Sequence, residues 1–171
     1  MKIRALLAVG LTLLLGACAD AERISAAGDI HALLVSIRDG DQATFNAHVD
    51  RGALKSQLRA RLMAEVTRRA SGDPTAAALG ALFGRSLVDA AADALIQPDV
   101  FRAIADYLGY SADRPIPGQI VIAQTLRRID EDHVCIPRKK DGPCFLTFKD
   151  ENHSWRLTSF EGDIGMLKPK G

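Results

Sequence analysis

Cys144-Phe145-Leu146-Thr147-Phe148, then Asp150-Glu151-Asn152, then Trp155-Arg156-Leu157-Thr158-Ser159-Phe160 is the stretch that decides the fold. Two runs rich in aromatic and β-branched residues flank a polar turn, which is the pattern of paired strands. In the second run Trp155 and Leu157 alternate with Arg156 and Thr158, so one face of the strand is set to be buried. Upstream, Val134-Cys135-Ile136 reads as a third strand, and Pro137-Arg138-Lys139-Lys140-Asp141-Gly142-Pro143 as the turn-rich loop joining it to Cys144. Ile120 to Thr125 is short enough for a strand or a helical turn.

Toward the amino terminus the period changes from two to that of a helix. Ile30, Leu33, Leu34 and Ile37 share one face, with Asp29 expected as the N-cap and Gly40 as the stop. Asp41 can cap a short helix carrying Phe45 and Val49. Asp50 opens a longer one, to about Arg69, whose stripe is Leu54, Leu58, Leu62 and Val66. Arg51, Lys55 and Arg59 flank that stripe, as a solvated edge or a contact with anionic lipid. A small-residue helix from Thr75 to Ile96 follows, with Ala76, Gly80 and Gly84 forming a flat ridge suited to close packing against another helix. Pro98 ends it and starts the next, with Val100, Phe101, Ile104 and Leu108 facing inward. Helices first and strands afterwards predict an α+β domain: four to five N-terminal helices on a C-terminal antiparallel meander of three or four strands.

Ahead of this domain lies a different kind of segment. Lys2 and Arg4 precede the largely apolar run Ala5 to Leu15, and Leu15-Gly16-Ala17-Cys18 closes it. Positive start, apolar run and small residues form a secretory signal, and a cysteine after the small pair makes it a lipoprotein signal. Residues 1–17 are expected to be removed. The thiol of Cys18 would carry a diacylglyceryl group, and the new amino terminus a further acyl chain such as palmitate. Two or three chains hold where one binds only marginally. Ala19, not Asp, after the cysteine points to the periplasmic face of the outer membrane. Residues 18–28 read as a short tether and 29–171 as a single domain.

Composition narrows the function. Cleavage would leave about 154 of 171 residues, enough for one domain with its own core. The 22 basic residues lose Lys2 and Arg4, leaving 20 against 21 acidic ones, a near-neutral body. That balance, with only 5% aromatics, argues against nucleic acid as a partner.

The remaining cysteines, Cys135 and Cys144, flank one loop. In an oxidising compartment they would pair as a disulfide. The alternative is a metal held by His133, Cys135, Cys144 and His153. His31 and His48 have no second ligand at helical spacing and read as structural. Asp130-Glu131-Asp132 reads as a solvated turn, with a bound cation or general base as the sharper option. Ser56, Ser86 and Ser111 lack a nucleophile-elbow context, and Gly80 and Gly84 lack the strand that precedes a phosphate loop.

Val49-Asp50 with Leu54-Lys55-Ser56-Gln57-Leu58, Ile96-Gln97-Pro98, and Phe145-Leu146-Thr147-Phe148 with Trp155-Arg156-Leu157 together resemble a bacterial family known as domain of unknown function 2939. The chain departs from that pattern at Arg51 and Gly52. The resemblance implies a small envelope domain and supplies no activity and no cofactor. The expected role is a non-enzymatic module, lipid-anchored through Cys18, that binds a protein or a small apolar ligand. The alternatives are an envelope hydrolase or metal-dependent enzyme, and a structural adaptor.

Overall fold

A long helix laid across an antiparallel meander organises the chain. The computed structural model describes the backbone of residues 2–70, 89–107, 111 and 113–161, with side chains from residue 21 onward except 66, 69 and 70. Helices α1 (Lys2–Asp39), α2 (Gln42–Ala47) and α3 (Arg51–Ala70) come first. Next are α4, described over residues 89–95, α5 (Pro98–Tyr107) and α6 (Gln119–Thr125). Strands β1 (Arg127–Arg128), β2 (His133–Pro137), β3 (Cys144–Glu151) and β4 (Ser154–Phe160) then pair in chain order, each antiparallel to the next. The fold is α+β, as the change of period predicts.

Helix α1 differs from expectation at its start. Asp29 does not cap it: the helix runs unbroken through the residues read as a tether, and Ala26 and Ala27 are fully buried. They extend the stripe of Ile30 and Leu33 by one turn, and small side chains there let the neighbouring elements approach. Asp29 is instead used sideways. Its Oδ2 accepts the backbone N–H of Trp155 at 2.7 Å, pinning the start of β4 to the helix. No local pattern announces such a bond across 126 positions. The far end of α1 follows the sequence. Gly40 has φ of +72°, and the N–H of Asp41 returns to the carbonyl of Ser36 at 2.9 Å, a left-handed helix stop. Arg102 of α5 donates from Nε to the Ile37 carbonyl at 3.0 Å, satisfying one more open group there.

The next helices start as their caps predict. Asp41 accepts from the N–H groups of Ala43 and Thr44. Asp50 accepts from that of Ala53 at 2.9 Å. Between α2 and α3 the chain makes a one-residue parallel bridge, Val49 to Leu157. The Leu157 N–H donates to His48 and the Asp50 N–H to Leu157, at 2.9 and 3.0 Å. Further along the same edge, Gln57 Oε1 accepts the N–H of Phe160 at 3.1 Å. The α2–α3 link and Gln57 of α3 thus occupy the hydrogen-bonding edge of β4 that would otherwise invite another strand.

The ambiguous Ile120 to Thr125 is helical. Ile122 is buried while Ile120 and Val121 are exposed; a strand would have hidden alternate residues. The β3–β4 turn falls two residues later than expected, at Asn152 and His153, with φ of 55° and 65°. A two-residue hairpin that follows the strand twist needs left-handed geometry at both central positions, so β3 extends to Glu151. Trp155 and Leu157 are buried, as the alternation predicts.

One core joins both layers. Ile30, Leu33, Phe45 and Leu54 from the helices, with Val49 and Ile96 from the links between them, meet Val134, Phe148, Trp155 and Leu157 from the sheet. At one margin Phe45, Phe101, Phe160 and Phe145 follow one another edge to face or tilted, with centroids 5.3, 6.3 and 5.1 Å apart. The ridge of Ala76, Gly80 and Gly84, together with Leu108 and Gly109, lies outside the described residues.

Candidate functional site

Cysteine chemistry is the first candidate. Cys135 on β2 and Cys144 at the start of β3 form a disulfide, with Cα atoms 5.6 Å apart. Cys135 is fully buried. Arg127 holds the loop between them, donating from Nη1 to the Gly142 carbonyl at 2.9 Å and from Nη2 to Cys144 Sγ at 3.1 Å. The turn itself closes through the Gly142 N–H and the Lys139 carbonyl at 2.8 Å. This bond corrects the metal alternative. Both thiols are used, and His153 lies in the turn beyond the far end of β3, about 23 Å of strand from Cys144.

The second candidate is the acidic turn before β2. Ligand atoms of Asp130, Asp132 and His133 all lie within 4.8 Å of one another. They already serve each other: His133 Nδ1 is 2.8 Å from Asp130 and 3.0 Å from Asp132. The hydrogen bond from His133 holds the Asp130 carboxyl below its ordinary value. Both carboxylates are exposed, and Asp130 Oδ1 also accepts the N–H of Asp132. The groups make a hydrogen-bonded, solvated turn.

The two remaining histidines of the sequence reading each contact a neighbouring element. His31 Nδ1 is 3.0 Å from the Pro117 carbonyl, tying α1 to the connector before α6. His48 sits against Asp29 at 3.8 Å, next to the bridge to β4. Ser56 is exposed on α3, Ser111 donates to Asp113 at 3.4 Å within a loop, and Ser86 lies outside the described residues. Cys18 falls within the backbone of α1.

The basic flank of α3 has a partner that the sequence did not reveal. Lys55 Nζ bonds Asp93 at 2.7 Å, Arg51 approaches the same carboxylate at 3.9 Å, and Arg59 pairs with Asp89. Lys55 thereby pulls the Asp93 carboxyl below its usual range. Arg51 also donates to the Ile96 carbonyl at 2.7 Å, closing the break between α4 and α5. The stripe therefore pairs with α4. Three basic residues on α3 and Asp89 and Asp93 on α4 are an interhelical match, which the spacing of each helix alone could have suggested.

The class these features define is a disulfide-bonded α+β domain, a helical layer clasping an antiparallel meander. Its clustered titratable groups, among the described residues, are paired with one another. The chain belongs to the family of proteins of unknown function DUF2939, whose model matches residues 12–104. The match runs from α1 into α5 and ends before the sheet, so the closing strands that contributed to the resemblance lie beyond it. No curated protein and no solved structure matches the chain. Among the described residues no helix is long and apolar enough to cross a membrane.

Proposed function

We propose that the chain is a lipid-anchored protein of the bacterial envelope, held at the periplasmic face of the outer membrane through Cys18. Its domain acts as a non-enzymatic interaction module. The observation that carries this reading is the segment from Lys2 to Cys18: positive start, apolar run and Leu15-Gly16-Ala17-Cys18. The Cys135–Cys144 disulfide supports it independently, because such bonds persist in oxidising compartments. The meeting of Phe45, Phe148, Trp155 and Leu157 in one core favours recognition at the surface over an enclosed apolar ligand.

Metabolic labelling with a clickable fatty acid, with intact mass and cell fractionation, tests the reading. The parent chain is expected to carry the label, begin at Cys18 and sediment with membranes. Cys18→Ser is expected to lose the label and keep its first 17 residues. A label-free parent in the cytosol would end the proposal.

A further inference from the structure

We propose that the face shared by α1 and α6 is a second membrane contact, with Ile24, Ile120 and Val121 entering the bilayer interface beside the lipid anchor. The proposal builds on the reading of Cys18 as lipidated. Exposure is the first observation: Ile120 is 74% exposed, Ile24 56% and Val121 53%. A single exposed aliphatic is ordinary, but several on neighbouring elements mark an interaction surface. Composition is the second. Helix α6 reads Gln-Ile-Val-Ile-Ala-Gln-Thr, without one charged residue. A helix without charged side chains incurs no penalty for desolvating one when it meets lipid, and at the far end of the face Glu22 and Arg128 are paired with each other.

Position selects the occupant. His31 touches the Pro117 carbonyl, Gly28 faces Gln119, and Arg128 Nη1 bonds Glu22 at 2.9 Å. The chain from Pro117 to Arg128 therefore runs antiparallel to α1, back toward Cys18. Ile24 lies six helical residues from Cys18, roughly 9 Å along the axis, and Gly28, beside the start of α6, roughly 15 Å. A lipid at Cys18 would keep this face next to the bilayer at all times, a standing local concentration that no soluble partner has. Attraction by charge is not the cause. The basic stripe of α3 is bound to α4, and Asp130, Glu131 and Asp132 stand exposed just beyond β1. The contact is apolar, and the charge of the lipid does not alter it.

The native cysteines make the test clean. Cys18 would be acylated and Cys135 is bonded to Cys144, so one introduced thiol takes one fluorophore. Ile120→Cys and Val121→Cys report on the face, and Ala43→Cys, exposed on α2 past the far end of α1, serves as the control. All three positions are exposed, so the core is left intact. The acylated protein is purified from membranes and reconstituted in vesicles of zwitterionic or of anionic phospholipid, each with a brominated-chain fraction. Bromine is expected to quench the labels at 120 and 121 several-fold more than the label at 43, equally in both lipids. Equal quenching at all three sites overturns the proposal, as does quenching confined to anionic vesicles. Mass analysis of the same sample separates the two ideas: an unmodified Cys18 removes the anchor and this contact together, whereas acylated protein with a fully aqueous α6 removes the contact alone.

Discussion

Two aspartates show how single side chains place whole elements. Asp50 follows the bridge to β4 and caps α3, so it joins the sheet edge to a 20-residue helix. Asp50→Ala is expected to lower stability by about 1 kcal/mol, while Asp50→Asn, which keeps an accepting oxygen, costs little. Urea midpoints at constant m-value measure both; equal midpoints for the Ala and Asn variants would remove the cap from the account. Asp41 adds a pH dependence. The hydroxyl and N–H of Thr44 hold its carboxyl below the ordinary value of 3.8, as Lys55 does for Asp93 and His133 for Asp130. Each value is depressed in the folded state, so each contribution is complete above the unfolded value and is lost as pH falls through the folded one. The urea midpoint is expected to fall with pH below about 4, where unfolded aspartates titrate. Asp41→Asn keeps the cap without the proton, so its acid slope is expected to be shallower than the parent's. Identical slopes would show that Asp41 takes no part.

Among the elements, the β2–β3 hairpin is the one closed by a covalent bond. Cys135 and Cys144 are nine positions apart, and closing so short a loop stabilises by roughly 2–3 kcal/mol in the loop-entropy model. Replacing both, Cys135→Ala with Cys144→Ala, is expected to lower stability by that amount. Parent protein unfolded with reductant separates the cross-link from the packing of buried Cys135. A double variant as stable as the oxidised parent would leave the bond without a structural role. The hairpin was legible because its signals are local: β-branched runs, a Pro- and Gly-rich loop, paired cysteines. So were the caps at Asp41 and Asp50 and the break at Pro98. The β3–β4 turn was misplaced because Asp150-Glu151-Asn152 has turn composition, whereas the left-handed pair Asn152-His153 is selected by strand register. The backbone groups that Asp29, Gln57 and Arg51 bond were not legible at all, since each bond reaches across 45 or more positions. The metal alternative failed for a related reason: with the turn misplaced, β3 was read too short, and its continuation to Glu151 sets Cys144 and His153 at opposite ends of the strand.

At the scale of the molecule the decisive element is α1, and the decisive residue in it is Gly28. Glycine in this stretch suggests a coil, in which the domain would swing on a leash. In the structure Gly28 lies inside α1, directly after buried Ala26 and Ala27 and beside Gln119 of α6. A domain on a helical stalk keeps one face toward whatever holds its amino terminus; a domain on a coil does not. Gly28→Ala distinguishes these physically. Glycine in a helix interior is less favourable than alanine by roughly 0.5–1 kcal/mol, because it surrenders more backbone freedom on folding. The added Cβ would sit 3.8 Å from Gln119 Nε2, an ordinary contact that displaces nothing. Gly28→Ala is therefore expected to raise stability by about that amount, read as a higher urea midpoint. It is also expected to slow amide exchange across residues 26–30, since local opening must now break a better helix. In a flexible tether residue 28 is disordered before and after unfolding, so the same substitution leaves the midpoint unchanged. An unmoved midpoint with fast exchange at Gly28 would return the stretch to a leash. The α1–α6 face would then lose the fixed orientation toward the bilayer on which a membrane contact depends.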